Sequence, residues 1–183
     1  MAKNCLVITA FGGLLLSALG VGAQDSASQH LDDGANKMRN SSDLAFAIQA
    51  AQGGIAEVKF GQLAAEKAAN PQLKALGERM VTDHTNINNE LKSIATAKST
   101  TLPSDLNGKD QSEYNKLSRL SGSKFDSSYV KAMIKDHEED IKEFRKEADK
   151  GKDPQVKAFA SRTLPVLQSH LASIKSIQST MGQ

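Results

Sequence analysis

"STTLPSDLNGKDQSEYNKLSRLSGSK", residues 99–124, is the stretch on which the architecture turns. It opens on serine, threonine and proline, which end a helix, and closes on a Ser-Gly-Ser-Lys run. Between them Tyr114, Leu117 and Leu120 mark a short helix inside an otherwise irregular connection.

On either side of it the apolar residues recur at helical spacing. Upstream, a first helix is predicted over 43–69 with "SSD" as its capping signal, and Asn70-Pro71 makes a turn into a second helix that reaches Lys98. Downstream, a third helix is predicted over 125–150, "KGKDP" turns tightly, and a fourth runs over 154–179 with a kink expected at Pro165. Helices of about 25 residues are roughly 38 Å long at 1.5 Å per residue, which suits an all-α four-helix bundle. The connections run tight, long, tight, and tight turns make antiparallel pairs. A long connection between the second and third helices has room to travel back along the bundle, the ferritin-like crossover. The alternative is a connection that folds up at one end.

Ahead of the helices the chain carries an address. Lys3 precedes an apolar run from Leu6 to Leu19, and Val21 and Ala23 occupy the small-residue positions before a cut. Residues 1–23 therefore read as a secretory signal peptide, too short in its apolar part for a spanning helix, and the protein is expected to be exported, periplasmic or secreted. Residues 24–42 are small, polar and aperiodic, a flexible leader to a domain over 43–183; His30 falls there and is assigned no role. The only cysteine, Cys5, lies before the apolar run, so the mature chain is expected to have neither disulfides nor thiolate metal sites. The formal charge is +2, or +1 without Lys3, and there is no tryptophan. Near-neutrality with mixed signs gives no case for nucleic acid, and no transmembrane segment is expected in the mature chain. A protein partner and the oligomeric state are left open.

Two segments nearly copy each other: "MVTDHTNINNELK" (80–92) and "MIKDHEEDIKEFR" (133–145). Each puts an Asp-His pair in the middle of a helix. The second helix carries an apolar stripe through Leu73, Leu76, Met80, His84, Ile87, Leu91 and Ile94. The third runs through Val130, Met133, His137, Ile141, Phe144 and Ala148, and the fourth through Val156, Ala160, Thr163, Leu167, His170, Ile174 and Ile177. One histidine interrupts each. On the first helix Glu57 sits in an arc with Phe46, Ala50, Gly61 and Ala64, against a rival stripe of Leu44, Ile48, Ala51, Ile55 and Val58.

Glu57 lies 13 residues before Asn70 and His84 13 after Pro71; His137 lies 14 before Gly151 and His170 16 after Pro154. Antiparallel hairpins would therefore bring Glu57, His84, His137 and His170 to a common height. That is a ligand set for one transition-metal ion, with zinc, copper or iron as candidates. It is equally a set that can satisfy itself as a metal-free hydrogen-bond network in a structural or interaction module. Asp83, Tyr129 and Asp136 are candidates to surround and orient the ligands. Asp136, however, continues into Asp140, Glu143 and Glu147, which looks like a solvated face. Asp126 reads as a helix-start residue too far from His137 to share its site. Met80 and Met133 read as core filler, with soft copper ligation as the other option. No nucleophile constellation points to an enzyme.

The phrases "AQGGIAEVKFGQLAAEKAANPQLKALGERMVTDH" (51–84), "LSGSKFDSSYVKAMIKDH" (120–137) and "KAFASRTLPVLQSHL" (157–171) resemble the bacterial family called domain of unknown function 4142. Glu57, Asp83, His84, Phe125, Asp126, Tyr129, Asp136, His137, Pro165 and His170 stand where that family pattern has them. The resemblance implies an exported protein with a ferritin-like fold and, since the family is named for no activity, no reaction. It does not imply a di-iron centre. That would need Glu-x-x-His on two helices, whereas Phe60 follows Glu57 by three, and Val81, Ile134 and Leu167 precede the histidines by three.

Overall fold

The computed structural model describes Met38 and residues 41–181; the stretch read as signal peptide and most of the leader lie outside the described residues. Five helices and no strand are found among the described residues: α1 Ser41–Lys67, α2 Pro71–Ala97, α3 Gly108–Ser118, α4 Gly122–Lys150 and α5 Pro154–Met181. The bundle is formed by α1, α2, α4 and α5, and α3 is the short helix within the long connection. It starts before Tyr114 and ends before Leu120. Met38 falls within the stretch read as a flexible leader, yet it is buried against the core.

α1 packs on α2 and α4 on α5, while α2 also meets α5 and α1 meets α4. The direction of α4 is fixed by a contact near its start. Asp126 accepts hydrogen bonds from the backbone N–H groups of Ala69 (3.0 Å) and Asn70 (2.9 Å), so α4 begins beside the α1–α2 turn. At the opposite end Asp43, in the first turn of α1, accepts from Lys152 (3.2 Å) and Asp153 (2.8 Å) in the α4–α5 turn. Lys98, just past the end of α2, reaches Asp153 at 2.7 Å. The connection from Ala97 to Gly122 therefore travels the length of the bundle, the ferritin-like crossover, and α2 and α4 run parallel. Asp126 does not open its helix, which starts four residues earlier at Gly122; its carboxylate instead clamps the other hairpin's turn.

Proline starts both second members of the hairpins, where a missing N–H costs nothing. Asn70 and Asp153 precede those prolines, and their side chains accept from the N–H of Gln72 (2.8 Å) and of Gln155 (2.9 Å). The α1–α2 seam is close because two glycines face each other across it. A Cβ on Gly77 would stand 2.6 Å from the Gly61 carbonyl oxygen, and one on Gly61 2.8 Å from that of Gly77. Backbone cannot yield as a side chain does. Gly77→Ala is expected to cost about 2–3 kcal/mol in urea unfolding, while Gly108→Ala, which meets nothing, should leave stability near wild type. Equal midpoints for the two variants would contradict this packing.

Glu147 lies beside Asp43, almost fully buried. Burial first, and then the Asp43 charge, push its carboxyl up to about 7. A carboxyl whose pKa is raised on folding stabilises the folded state at low pH, and that contribution is lost as pH rises through the folded value. Glu147→Gln should therefore gain on wild type in denaturant unfolding between pH 5 and pH 8. A difference that stays constant over that interval would contradict the assignment.

The core divides into two apolar blocks. One, at the α1–α2 turn, gathers Leu73, Leu117, Phe125, Tyr129 and Ile174; the other, at the α4–α5 turn, gathers Phe46, Leu91, Phe144, Phe159 and Leu167. Between them lies a polar layer.

Candidate metal centre

Each bundle helix gives that layer one side chain: Glu57 from α1, His84 from α2, His137 from α4 and His170 from α5, none more than 1% exposed. On α1 the arc containing Glu57 faces inward. Phe46, Gly61 and Ala64 of that arc are buried with it and Ala50 is half-buried, while Leu44, Ile48, Ile55 and Val58 of the rival stripe are half-buried and only Ala51 of that stripe is fully buried. Imidazole ring centres are 5.1 Å (His84–His170), 5.6 Å (His137–His170) and 6.0 Å (His84–His137) apart. The common height expected from the two hairpins is found.

Hydrogen bonds assign the ring nitrogens. His170 Nε2–H donates to Asp83 Oδ2 at 2.8 Å, and Asp83 is held from outside by Arg79 Nε at 3.2 Å. His170 Nδ1 is then a lone pair, 3.3 Å from His84 Nε2. His84 Nδ1 meets Glu57 Oε2 at 2.8 Å. In α4, His137 Nδ1–H donates to the carbonyl of Met133 at 3.0 Å, which leaves Nε2 as the lone pair facing inward. That Nε2 stands 3.4 Å from Glu57 Oε1 with no hydrogen bond between them, and both atoms are buried without a partner.

All three imidazoles are thus pinned through one nitrogen to an oxygen: Glu57 for His84, Met133 carbonyl for His137, Asp83 for His170. The other nitrogen of each turns toward its neighbours, and the three rings each offer a ligand atom within 4.8 Å of the others. Metal-binding histidines are commonly held this way, by an oxygen partner on the far nitrogen. The 3.3 Å between His84 Nε2 and His170 Nδ1 also matches the edge of a tetrahedron with arms of about 2.0 Å. The residues present therefore fit a transition ion.

Electrostatics keep the ligands neutral. Burial lowers His137 to about 3 and His84 to about 4, and lowers His170 as well, partly offset by its bond to Asp83. Burial, with Asp110 adding its charge, raises Glu57 well above the usual carboxylate range. Directionality agrees. If Asp83 accepts from His170, and His170 Nδ1 accepts from His84 Nε2–H, then His84 Nδ1 needs a donor. Glu57 supplies it as the carboxylic acid.

Two residues expected to orient the ligands do so differently. Asp83 holds His170 on the neighbouring helix, not its own neighbour His84. Tyr129 is fully buried, stacks on Phe125, and donates its hydroxyl to Met80 Sδ at 3.4 Å. Its hydroxyl makes no hydrogen bond to the four centre residues, and the Met80 sulfur that accepts it sits in the apolar block.

Asp136 and its followers correct the reading of a solvated face. Asp136, Asp140 and Glu143 are half-buried and Glu147 is buried. Burial raises Asp136 to about 8, and raises Asp140 too, with Glu57 adding to both. Glu57, Asp136 and His137 each offer a ligand atom within 4.8 Å of the others, a second set sharing His137. The sequence carried a signal for this acidic flank in Gly53-Gly54, a costly pair in mid-helix. The missing side chain of Gly54 makes room for Asn88, whereas at Gly53 a Cβ would be in ordinary contact. A Cβ on Gly53 would meet Asp140 at 3.6 Å, and one on Gly54 would overlap Asn88 Oδ1.

Fold and centre together define a ferritin-like helical bundle with a buried Glu/His cluster. The chain belongs to the family described as domain of unknown function (DUF4142), whose model matches residues 28–177. Two solved structures share the fold. A DUF305 fragment from Deinococcus radiodurans superposes with a TM-score of 0.68 at 10% identity, over 78% of this chain and 97% of that one. The "putative secreted protein DUF305 from Streptomyces coelicolor" gives 0.67 at 14% identity, over 78% and 93%. No curated protein matches the chain. No helix among the described residues is long and apolar enough to cross a membrane.

Proposed function

We propose that this chain is an exported bundle that takes up one transition-metal ion in a storage, sensing or stress-protective role. The ligands are His84 Nε2, His137 Nε2 and His170 Nδ1, with Glu57 orienting His84 through Oε2 and presenting Oε1 to the same space. An imidazole-rich set suits zinc, copper or iron. Export rests on the signal-like residues 1–23, and the description of the Streptomyces fold relative as secreted agrees with it.

The observation that carries this reading is His137. A purely hydrogen-bonded core would pair both its nitrogens, yet Nε2 and Glu57 Oε1 are buried 3.4 Å apart with no hydrogen-bond partner from the protein. Leaving buried polar atoms unsatisfied costs roughly 1–3 kcal/mol each. A cation between them removes that cost.

The second reading, a metal-free structural module, draws on the continuous chain Glu57–His84–His170–Asp83. That chain satisfies two of the histidines and omits the third. Elemental analysis of protein purified without chelator or affinity tag, followed by titration, separates the readings. Metal binding gives one ion per chain, restorable after stripping. A trace content that titration cannot restore would leave only the network.

A further inference from the structure

Asp136 faces a cleft as well as the histidines. The cleft, about 600 Å³, lies between α3 and α4, with Phe60 of α1 on its wall and Asp110, Ser112 and Ala132 among its lining. At its mouth lysines and glutamates neutralise each other: Lys116 with Glu113 at 3.1 Å, Lys109 and Lys135 with Glu139 at 3.6 and 3.7 Å. Asp110 and Asp136 also line it, and Glu57 lies behind Asp136.

At the inner end of this row are three buried atoms with no hydrogen-bond partner: Asp136 Oδ2, Glu57 Oε1 and His137 Nε2. They belong to the three residues of the oxygen-rich set whose ligand atoms lie within 4.8 Å of one another. His137 has only Nε2 to offer, because Nδ1 is held by the Met133 carbonyl. One ion cannot be held fully by this set and by the three histidines at once. The shared ring stands between the cleft and the His84–His170 pair. The approach from Asp83 is obstructed, since the Arg79 guanidinium covers it, bonded to Asp83 at 3.2 Å and to Ser169 Oγ at 3.0 Å. A cation is repelled there, whereas the cleft carries balanced charges and leads to the unpartnered acceptor atoms.

The geometry points to the α3–α4 cleft as the way in for a divalent transition ion, with Asp136, Glu57 and His137 forming an outer site that holds it before His84 and His170 do. This rests on the reading of the histidines as a metal centre. Two carboxylates and one imidazole bind such an ion less firmly than a histidine-rich set, so the ion is handed inward as His137 is retained and oxygen ligands are exchanged for nitrogen.

The test is stopped-flow uptake of Co²⁺, read by its visible absorbance, alongside equilibrium titration and the metal-free melt. Asp136→Asn replaces one carboxylate ligand of the outer set with an amide, a weaker ligand, and Ser112→Trp, at an exposed lining position, obstructs the cleft without touching the core. Uptake is expected to slow about tenfold in each, and Ser112→Trp, which lies outside both ligand sets, should still bind one Co²⁺ at equilibrium with its metal-free melt unchanged. Wild-type uptake rates in both variants would overturn the route while leaving the histidine centre standing. A wild-type protein that binds no Co²⁺ at equilibrium would overturn both.

Discussion

Saturating the stripped, tag-free protein with Zn²⁺ is expected to raise its melting temperature by about 10 °C, and His137→Leu to abolish the gain. A ligand at 1,000 times its dissociation constant adds about 4 kcal/mol to the folded state, and a chain of this size gains about 2–4 °C per kcal/mol. The substitution has a second consequence. It replaces a nitrogen that has no partner with hydrocarbon, so metal-free His137→Leu should melt no lower than metal-free wild type. His84→Leu differs, because it cuts the Glu57–His84–His170–Asp83 chain in the middle and leaves buried groups unpaired on both sides. Its metal-free form should melt lower. Under the metal-free reading, Zn²⁺ moves neither melt. The bonds also fix the proton balance. Before loading, Glu57 donates to His84 Nδ1; afterwards the proton sits on His84 Nδ1 and Glu57 is a carboxylate, so about one proton is released per ion. Affinity therefore rises with pH, a slope that calorimetry in buffers of different ionisation enthalpy will measure.

Asp126→Ala and Asp43→Ala are each expected to cost about 3–5 kcal/mol of unfolding free energy. Each carboxylate accepts two backbone N–H groups from the opposite hairpin's turn, and hydrogen bonds to a charged group contribute about 1.5–3 kcal/mol apiece. Asp126 is 4% exposed and Asp43 is fully buried, so water does not replace what is lost. Asparagine keeps one acceptor, and Asp126→Asn should fall between alanine and wild type. The two alanine losses should be similar in size and add, since they act at opposite ends of the bundle. Losses below 1 kcal/mol would mean that the hairpins are aligned by core packing alone.

These two clamps also explain what the sequence yielded and what it withheld. The tight-long-tight connections and the stripes on α2, α4 and α5 were readable because a helix buries every third or fourth residue, whatever it packs against. His84, His137 and His170 were visible as interruptions of those stripes, and their similar distances from each turn set their height. The repeat that drew attention, Asp83-His84 and Asp136-His137, relates α2 to α4, and the structure gives its members different tasks. Asp83 crosses to His170; Asp136 turns to the cleft. A second repeat relates the hairpins themselves. Asn70-Pro71-Gln72-Leu73-Lys74-Ala75 is matched by Asp153-Pro154-Gln155-Val156-Lys157-Ala158, and Asp43 with Phe46 by Asp126 with Tyr129. That repeat marks the turns and the clamps that close on them, and the Asp-His pairs overshadowed it.

The acidic row of α4 was misread for a physical reason. Position on a helix wheel tells which residues leave the main seam, not whether another element covers them. α3 packs over the neighbourhood of α1 and α4, and Gly54 admits Asn88 while Asp140 lies against Gly53. Asp136 is thus half-buried on a face that its own helix marks as exposed. Ring-nitrogen assignments lay beyond sequence for the same kind of reason, since they follow from which oxygen meets each ring. For Glu57 the wheel left two arcs open, and the glycine seam with α2 decides between them by drawing Gly61 to Gly77.

X-ray absorption at the metal edge of the Zn²⁺-loaded protein tests the central claim most directly. Three imidazoles gathered on one ion predict nitrogen and oxygen scatterers at about 2.0–2.1 Å, with the outer-shell pattern of imidazole carbons diminished in His137→Leu. A shell of oxygen alone, or a spectrum identical in wild type and His137→Leu, would contradict it.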